Sequence, residues 1–232
     1  MNAHRSAAVW AAINMRARAD GTPPSLKTVC LTCAHALDAS GAAVALSGRR
    51  MGYEPVYASS QDAQRLLDLH ATLGEGPGLT AMADRRPVLV PDLSQDEAQR
   101  RWPMFAPAAL KPQIRALFAF PLQLGAISVG VLEICRAEPG WLTPDQVADA
   151  LHFADAALLV HVQHPNLVEE HGMIELWAPV HQATGMVAVQ AHLDLSTAFV
   201  RLRAHAFAEG RGLLEVAHDV VARRLRFPPE SS

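Results

Sequence analysis

Apolar residues recur along the chain at two periods. Within Ser25–Ser40 the residues Leu26, Val29, Cys30, Cys33 and Leu37 fall at helical spacing. They predict one buried helix face, stopped at Gly41. Ala42–Leu46 and Pro55–Ser59 read as short strands with a turn at Gly48–Gly52. Gln61–Leu73 is helical and ends at Gly74. The run Gly74-Glu75-Gly76-Pro77-Gly78 reads as a loop, as a turn entering a helix. Pro87–Pro91 is a short strand, and Asp92–Arg101 a polar helix or loop. Arg115–Leu122 and Ala126–Cys135 have hairpin spacing. In the second run Ile127, Val129 and Val131 alternate with Ser128 and Gly130, which predicts one more apolar face.

Thr143-Pro144-Asp145-Gln146 carries a helix start, with Thr143 as N-cap and Gln146 completing a capping box. The helix runs to about Gln163, before Pro165. Val147, Leu151, Ala154, Leu158 and His161 form a seam suited to a two-helix contact, across a homodimer or onto the domain's own sheet. His164–Glu170 reads as a linker, after which strand signals cease. Pro179 suits the first turn of a helix reaching about His192, with Val180, Ala183, Thr184, Val187 and Ala191 inward. Phe199, Leu202 and Ala206 mark a second helix. Leu213, Val216, Ala217 and Val220 mark a third, ended by Phe227-Pro228-Pro229. Helices this short need a shared core. The fold class is α+β: a helical extension over 1–23, a mixed domain with its connecting helix over 24–165, and an all-helical domain over 166–232.

At 232 residues, half of them apolar, the chain is long enough for two cores. No apolar run approaches the roughly 20 residues of a spanning helix. Nor does Ala7–Ile13, followed by Arg16 and Arg18, read as a secretion signal. A cytoplasmic protein, with no membrane partner, is expected. The net charge is −3, from 20 basic and 23 acidic residues. This is not a basic footprint. Residues 166–232 hold six arginines against eight acids, so the helical domain alone is net −2. The basic residues are nonetheless almost all arginine, whose planar fork suits phosphate and base edges.

The residues left outside the helical core include His181, Gln182, Arg201, Arg203, His205, Arg211, Arg223, Arg224 and Arg226. A solvated helix face and a cationic helix end account for them as well as a binding surface does. The stretches His181–Val187, Val200–Ala208, Gly210-Arg211 and Glu215–Leu225 resemble an ANTAR domain, a bacterial three-helix RNA-binding module of transcription antitermination regulators, over roughly Met173–Phe227. The resemblance implies recognition of paired RNA hairpin loops, whose unstacked bases and phosphates arginine can engage. It implies Gln182, Thr184, Arg201, Arg203 and Arg211 as RNA contacts. Many relatives carry lysine where this chain has Thr184, which removes a phosphate contact. Ala183 and Gly185 read as small residues for close helix packing.

Leu73–Gly78, Arg86-Pro87-Val88, Pro91-Asp92-Leu93 and Phe120-Pro121-Leu122 before Val129–Leu132 resemble a GAF domain over about Pro24–Gln163. The resemblance implies an antiparallel sheet flanked by helices and a small-molecule site on one face. The ligand is unidentified, and no cofactor is assigned. Trp102, Phe105, Phe118 and Phe120 are the candidate lining residues, with plain core as their alternative. Cys30 and Cys33 form a CxxC near His35, but on an apolar helix face and with no second pair for zinc. Buried thiols are expected, with redox sensing as the alternative. No catalytic constellation stands out, and no G-x-S-x-G elbow is present. The expectation is therefore a sensor without enzymatic activity, whose output is RNA binding in antitermination. The alternative is a GAF-based switch acting on a protein partner.

Overall fold

The computed structural model describes residues 2–48, 52–111, 113–163 and 174–229. The expected linker at 164–170, its domain boundary, and part of the Gly48–Gly52 turn lie outside them.

Five strands build one antiparallel sheet: β1 (Gly41–Leu46), β2 (Glu54–Ala58), β3 (Val88–Val90), β4 (Ala116–Leu124) and β5 (Ile127–Arg136), in the order β2-β1-β5-β4-β3. The predicted hairpin is β4–β5. A register shift at Leu122/Gln123 changes its alternation. Val129 packs on one face and Val131 on the other, so Ile127, Val129 and Val131 do not share a side. The shift is a bulge, which turns the following side chains over. It brings Leu132 and Ile134 to one face and Val131, Glu133 and Cys135 to the other.

The first face is covered by α1 (Asn2–Ala19), α2 (Leu26–Ala36) and α7 (Pro144–Gln163). Ser25 caps α2 with a full capping box to Thr28. The predicted stripe Leu26, Val29, Cys30, Cys33 and Leu37 is buried. Helix α2 stops at Ala36, earlier than expected, with Asp38 at positive φ before Gly41 opens β1. Thr143 and Gln146 form the expected box before α7. The α7 seam divides. Ala154 and Leu158 are buried on the domain's own core, while Leu151 is 43% exposed. Arg5 ties α1 to α7 through Asp145 and Asp149.

The second face is covered by α3 (Gln61–Leu73), α4 (Pro77–Asp84), α5 (Asp96–Arg101) and α6 (Phe105–Leu110). Helix α6 gave no sequence signal. Three C-terminal helices follow: α8 (Ile174–Ala191), α9 (Leu195–Ala208) and α10 (Leu213–Val221). Pro179 lies inside α8 rather than at its first turn. Asp194 caps α9 through the Ser196 and Thr197 amides. The three predicted stripes face one another and bury Val180, Val187, Leu202, Leu213 and Val220. Their core is continuous with the second face of the sheet.

Candidate functional site

The second face holds a buried polar cluster. Glu133 stands alone among apolar neighbours on β5 and has no exposed surface. Tyr53, just before β2, donates its hydroxyl to Glu133 Oε2 at 3.0 Å. His70 on α3 reaches within 3.4 Å of Glu133 Oε1. The imidazole Nδ1–H donates to the Leu66 carbonyl at 3.0 Å, one turn back along α3. Its Nε2 is therefore the unprotonated nitrogen, and it accepts the Gly78 amide at 3.1 Å. Tyr53 stacks on the ring at 5.4 Å between centroids, and Phe105 lies against it at 4.4 Å.

Burial sets the charge of this cluster. It drives His70 down to about 3 and Glu133 up to about 8, against a smaller downward pull from Tyr53. The two are thus neutral near pH 7 and do not form an ion pair. Glu133 Oε1 has no hydrogen-bond partner among the described residues. The glycine-rich run after α3 makes this packing feasible. A Cβ on Gly78 would stand 1.7 Å from Glu133 Oε1. Gly76, at φ +132, would place one 2.6 Å from His70 Nε2. The run is thus a turn into α4, as expected, and also the space into which the imidazole and carboxyl fit.

Above this cluster lies a cavity of about 310 Å³. Tyr53 and His70 line it from below, Leu79 and Met82 of α4 from one side, and Phe199 and Arg203 of α9 from another. The C-terminal helices therefore complete its wall. They are held there by polar contacts to α3. The Leu213 amide donates to Thr72 Oγ1 at 2.9 Å, and the Leu214 amide to Asp68 Oδ1 at 3.2 Å. These side chains satisfy first-turn donors that α10 leaves open. Burial raises Asp68 to about 6. A Cβ on Gly212 would lie 2.3 Å from Asp68 Oδ2, so this approach requires glycine. His181 Nε2 and Glu54 Oε1 meet 3.7 Å apart at the same junction.

The structure separates the predicted ligand residues. Phe105 packs on His70, and Trp102 donates its indole N–H to Thr80 at 3.0 Å. Trp102 also lines a second cavity of about 540 Å³ beside β3. Phe118 and Phe120 are fully buried on the opposite face of the sheet. Four aromatics lining one cavity is thus corrected: strand alternation sends these two the other way.

The predicted RNA contacts also divide. Gln182 is exposed beside a shallow groove that includes Gly185, Arg223 and Arg226. Thr184 is buried, with its hydroxyl donated to the Val180 carbonyl at 2.7 Å, so it offers no surface contact. Gly185 has open space where a Cβ would stand, so close helix packing does not explain it. Arg201 donates to the Pro228 carbonyl at 3.1 Å. Arg203 faces the cavity, with its guanidinium 5.9 Å from the Phe199 ring centroid. Arg211 is held by Glu215 at 2.7 Å and by Asp219.

The cysteines Cys30, Cys33 and Cys135 are free and buried. Burial raises all three thiols, Cys135 to about 12. No helix of the described residues is long and apolar enough to cross a membrane.

Sequence reasoning missed Tyr53, His70, Glu133 and Asp68. Glu133 left a signal, as the single acid in an apolar strand. Asp68 left none, because its partner is 146 residues away.

The family model for the GAF domain matches residues 25–157, more than half of the chain. The fold is similar to the GAF domain of an Acinetobacter phosphoenolpyruvate-protein phosphotransferase, with 12% identity, a TM-score of 0.52, and coverage of 73% of this chain and 98% of that one. It is also similar to the GAF domain of the corresponding Coxiella burnetii protein, with 16% identity, a TM-score of 0.50, and coverage of 72% and 99%. No curated protein matches the sequence.

Proposed function

Because the chain belongs to the GAF domain family, we propose that it is a signal-responsive regulator whose sensor is the cavity over Tyr53 and His70. The three C-terminal helices are its output. The observation that carries this reading is the shared wall. Phe199 and Arg203 of α9 line the same cavity as Tyr53 and His70, so its occupancy and the position of the helices are one equilibrium.

The output is RNA binding in transcription antitermination, through an ANTAR-like surface. Resemblance over α8–α10 supports it, as does the exposed groove holding Gln182, Arg223 and Arg226. With Arg203 turned to the cavity and Arg211 paired to Glu215 and Asp219, the arrangement is the resting one. Two copies would present two such surfaces to a paired hairpin, gaining avidity. Leu151, Leu159 and Val162 of α7 are exposed apolar residues at which they would meet. The buried thiols favour a non-enzymatic role, since a reactive cysteine needs its thiolate near neutral pH.

Titrating a two-hairpin RNA against the full chain tests the output. Preference for that RNA over a scrambled one at physiological salt is expected. Equal binding of both would leave a protein partner as the output, and a nuclease-resistant pull-down would then support that alternative.

A further inference from the structure

The cavity at the junction has an unusual lining. Most of it is apolar: Leu79, Met82 and Phe199. Among the described residues one cation faces it, Arg203, and no carboxylate pairs with that guanidinium. Ser128 lines the same space, and its hydroxyl is buried without a hydrogen-bond partner. Arginine is a fork donor with no acceptor capacity, and a planar carboxylate matches it bidentately. The orphaned hydroxyl is an unmet demand, which a protein ordinarily satisfies, and the partly exposed guanidinium keeps its fork open to a ligand.

We infer that this cavity takes a small amphipathic monocarboxylate, with its carboxylate on Arg203 and its hydrocarbon part against Leu79, Met82 and Phe199, and that such a ligand locks the C-terminal helices in the resting arrangement. The inference rests on the sensor reading above and gives that site a ligand class and a direction. Among the described lining residues one guanidinium offsets one charge, which matches a monoanion better than a dianionic phosphate in an apolar pocket. The volume of about 310 Å³ is at the small end of small-molecule sites. The direction follows from linkage. A molecule that touches both α4 and α9 binds better when they are together, so it favours docking. Docking commits Arg203 to the cavity, and the ANTAR resemblance makes Arg203 an RNA contact. Ligand and RNA then oppose each other.

The test uses the full chain and straight-chain carboxylates from acetate to octanoate, followed by calorimetry. Saturable binding that tightens with chain length is expected. Hexanol should bind at least ten-fold more weakly than hexanoate. Arg203→Met should lose at least ten-fold in hexanoate affinity, and Arg201→Met should lose nothing. Hexanoate should also slow hydrogen exchange at the Leu213 and Leu214 amides. Absence of binding across the series overturns the inference. So does equal affinity in Arg203→Met, or exchange at those amides that is unchanged or faster. None of these measurements contains RNA, so the ligand can fail while RNA binding stands, and the reverse.

Discussion

On one face of the sheet, α1, α2 and α7 bury Phe118, Phe120 and Phe153 among apolar groups and unreactive thiols. The buried hydroxyls there, Ser25, Thr28 and Thr32, are used by the cap and backbone of α2 itself. On the other face, a carboxyl, an imidazole and a phenol are buried together, under a cavity completed by a distant part of the chain. The first face satisfies its buried hydroxyls locally and makes stability; unpartnered atoms there, Arg16 Nε and His161 Nδ1 among them, belong to partly exposed side chains. The second contains groups whose burial is costly and incompletely repaid, and such groups gather where a protein does something besides fold.

The contrast makes its largest prediction on the apolar face. Phe118→Ala leaves a void in a close-packed core and should cost about 3–5 kcal/mol in denaturant unfolding. The cavity lies across the sheet, so hexanoate affinity of the folded variant should stay near that of the wild type. A smaller and more selective loss is expected at Gly78. Alanine there drives a Cβ into Glu133 Oε1 and should cost about 1–3 kcal/mol. Shortening the acid should relieve it, so Gly78→Ala with Glu133→Ala should cost less than the sum of the two alone. Additive losses would detach the glycine from the cluster.

The smallest effect is the most diagnostic. Glu133 titrates at about 8 in the folded chain, above its ordinary 4.5. A raised folded value means stabilisation that is complete below about 4.5 and lost as pH rises through 8. Glu133→Gln keeps the shape of the neutral acid without the titration. Below about pH 4.5, where the acid is neutral in both states, the variant's stability should differ from that of the wild type by about 1 kcal/mol or less. Between pH 6 and 9 it should fall less steeply than the wild type. Parallel profiles would place the titration elsewhere.

Much of the sheet and helix order was legible, because periodicity is a local signal. Gln61–Leu73 and the β4–β5 hairpin stand close to where their patterns placed them. The three C-terminal stripes were legible too, since Leu213, Val216, Ala217 and Val220 fall on one helical face. The site was much less so. Phe118 and Phe120 share a strand face, and composition alone does not say which face a cavity uses. Val129 and Val131 part company at a bulge that leaves no mark in the alternation. The junction was least legible. Asp68 and Gly212 each read as ordinary until α10 is laid on α3. Arg203 had the right chemistry for a binding residue, but the surface it faces belongs to the other end of the chain.

Whether that junction restrains the output is the central claim, and Gly212 tests it most directly. Its backbone φ of −66 suits any residue, so valine fits the chain there. A Cβ at 2.3 Å from Asp68 Oδ2 does not fit the junction. Gly212→Val should therefore displace α10 from α3 and raise affinity for a two-hairpin RNA at least ten-fold over the wild type. Asp68→Ala alone, which removes the Leu214 contact but leaves the Leu213–Thr72 bond, should raise affinity less. Equal or weaker RNA binding by Gly212→Val, with the helices shown by hydrogen exchange to be released, would contradict the account.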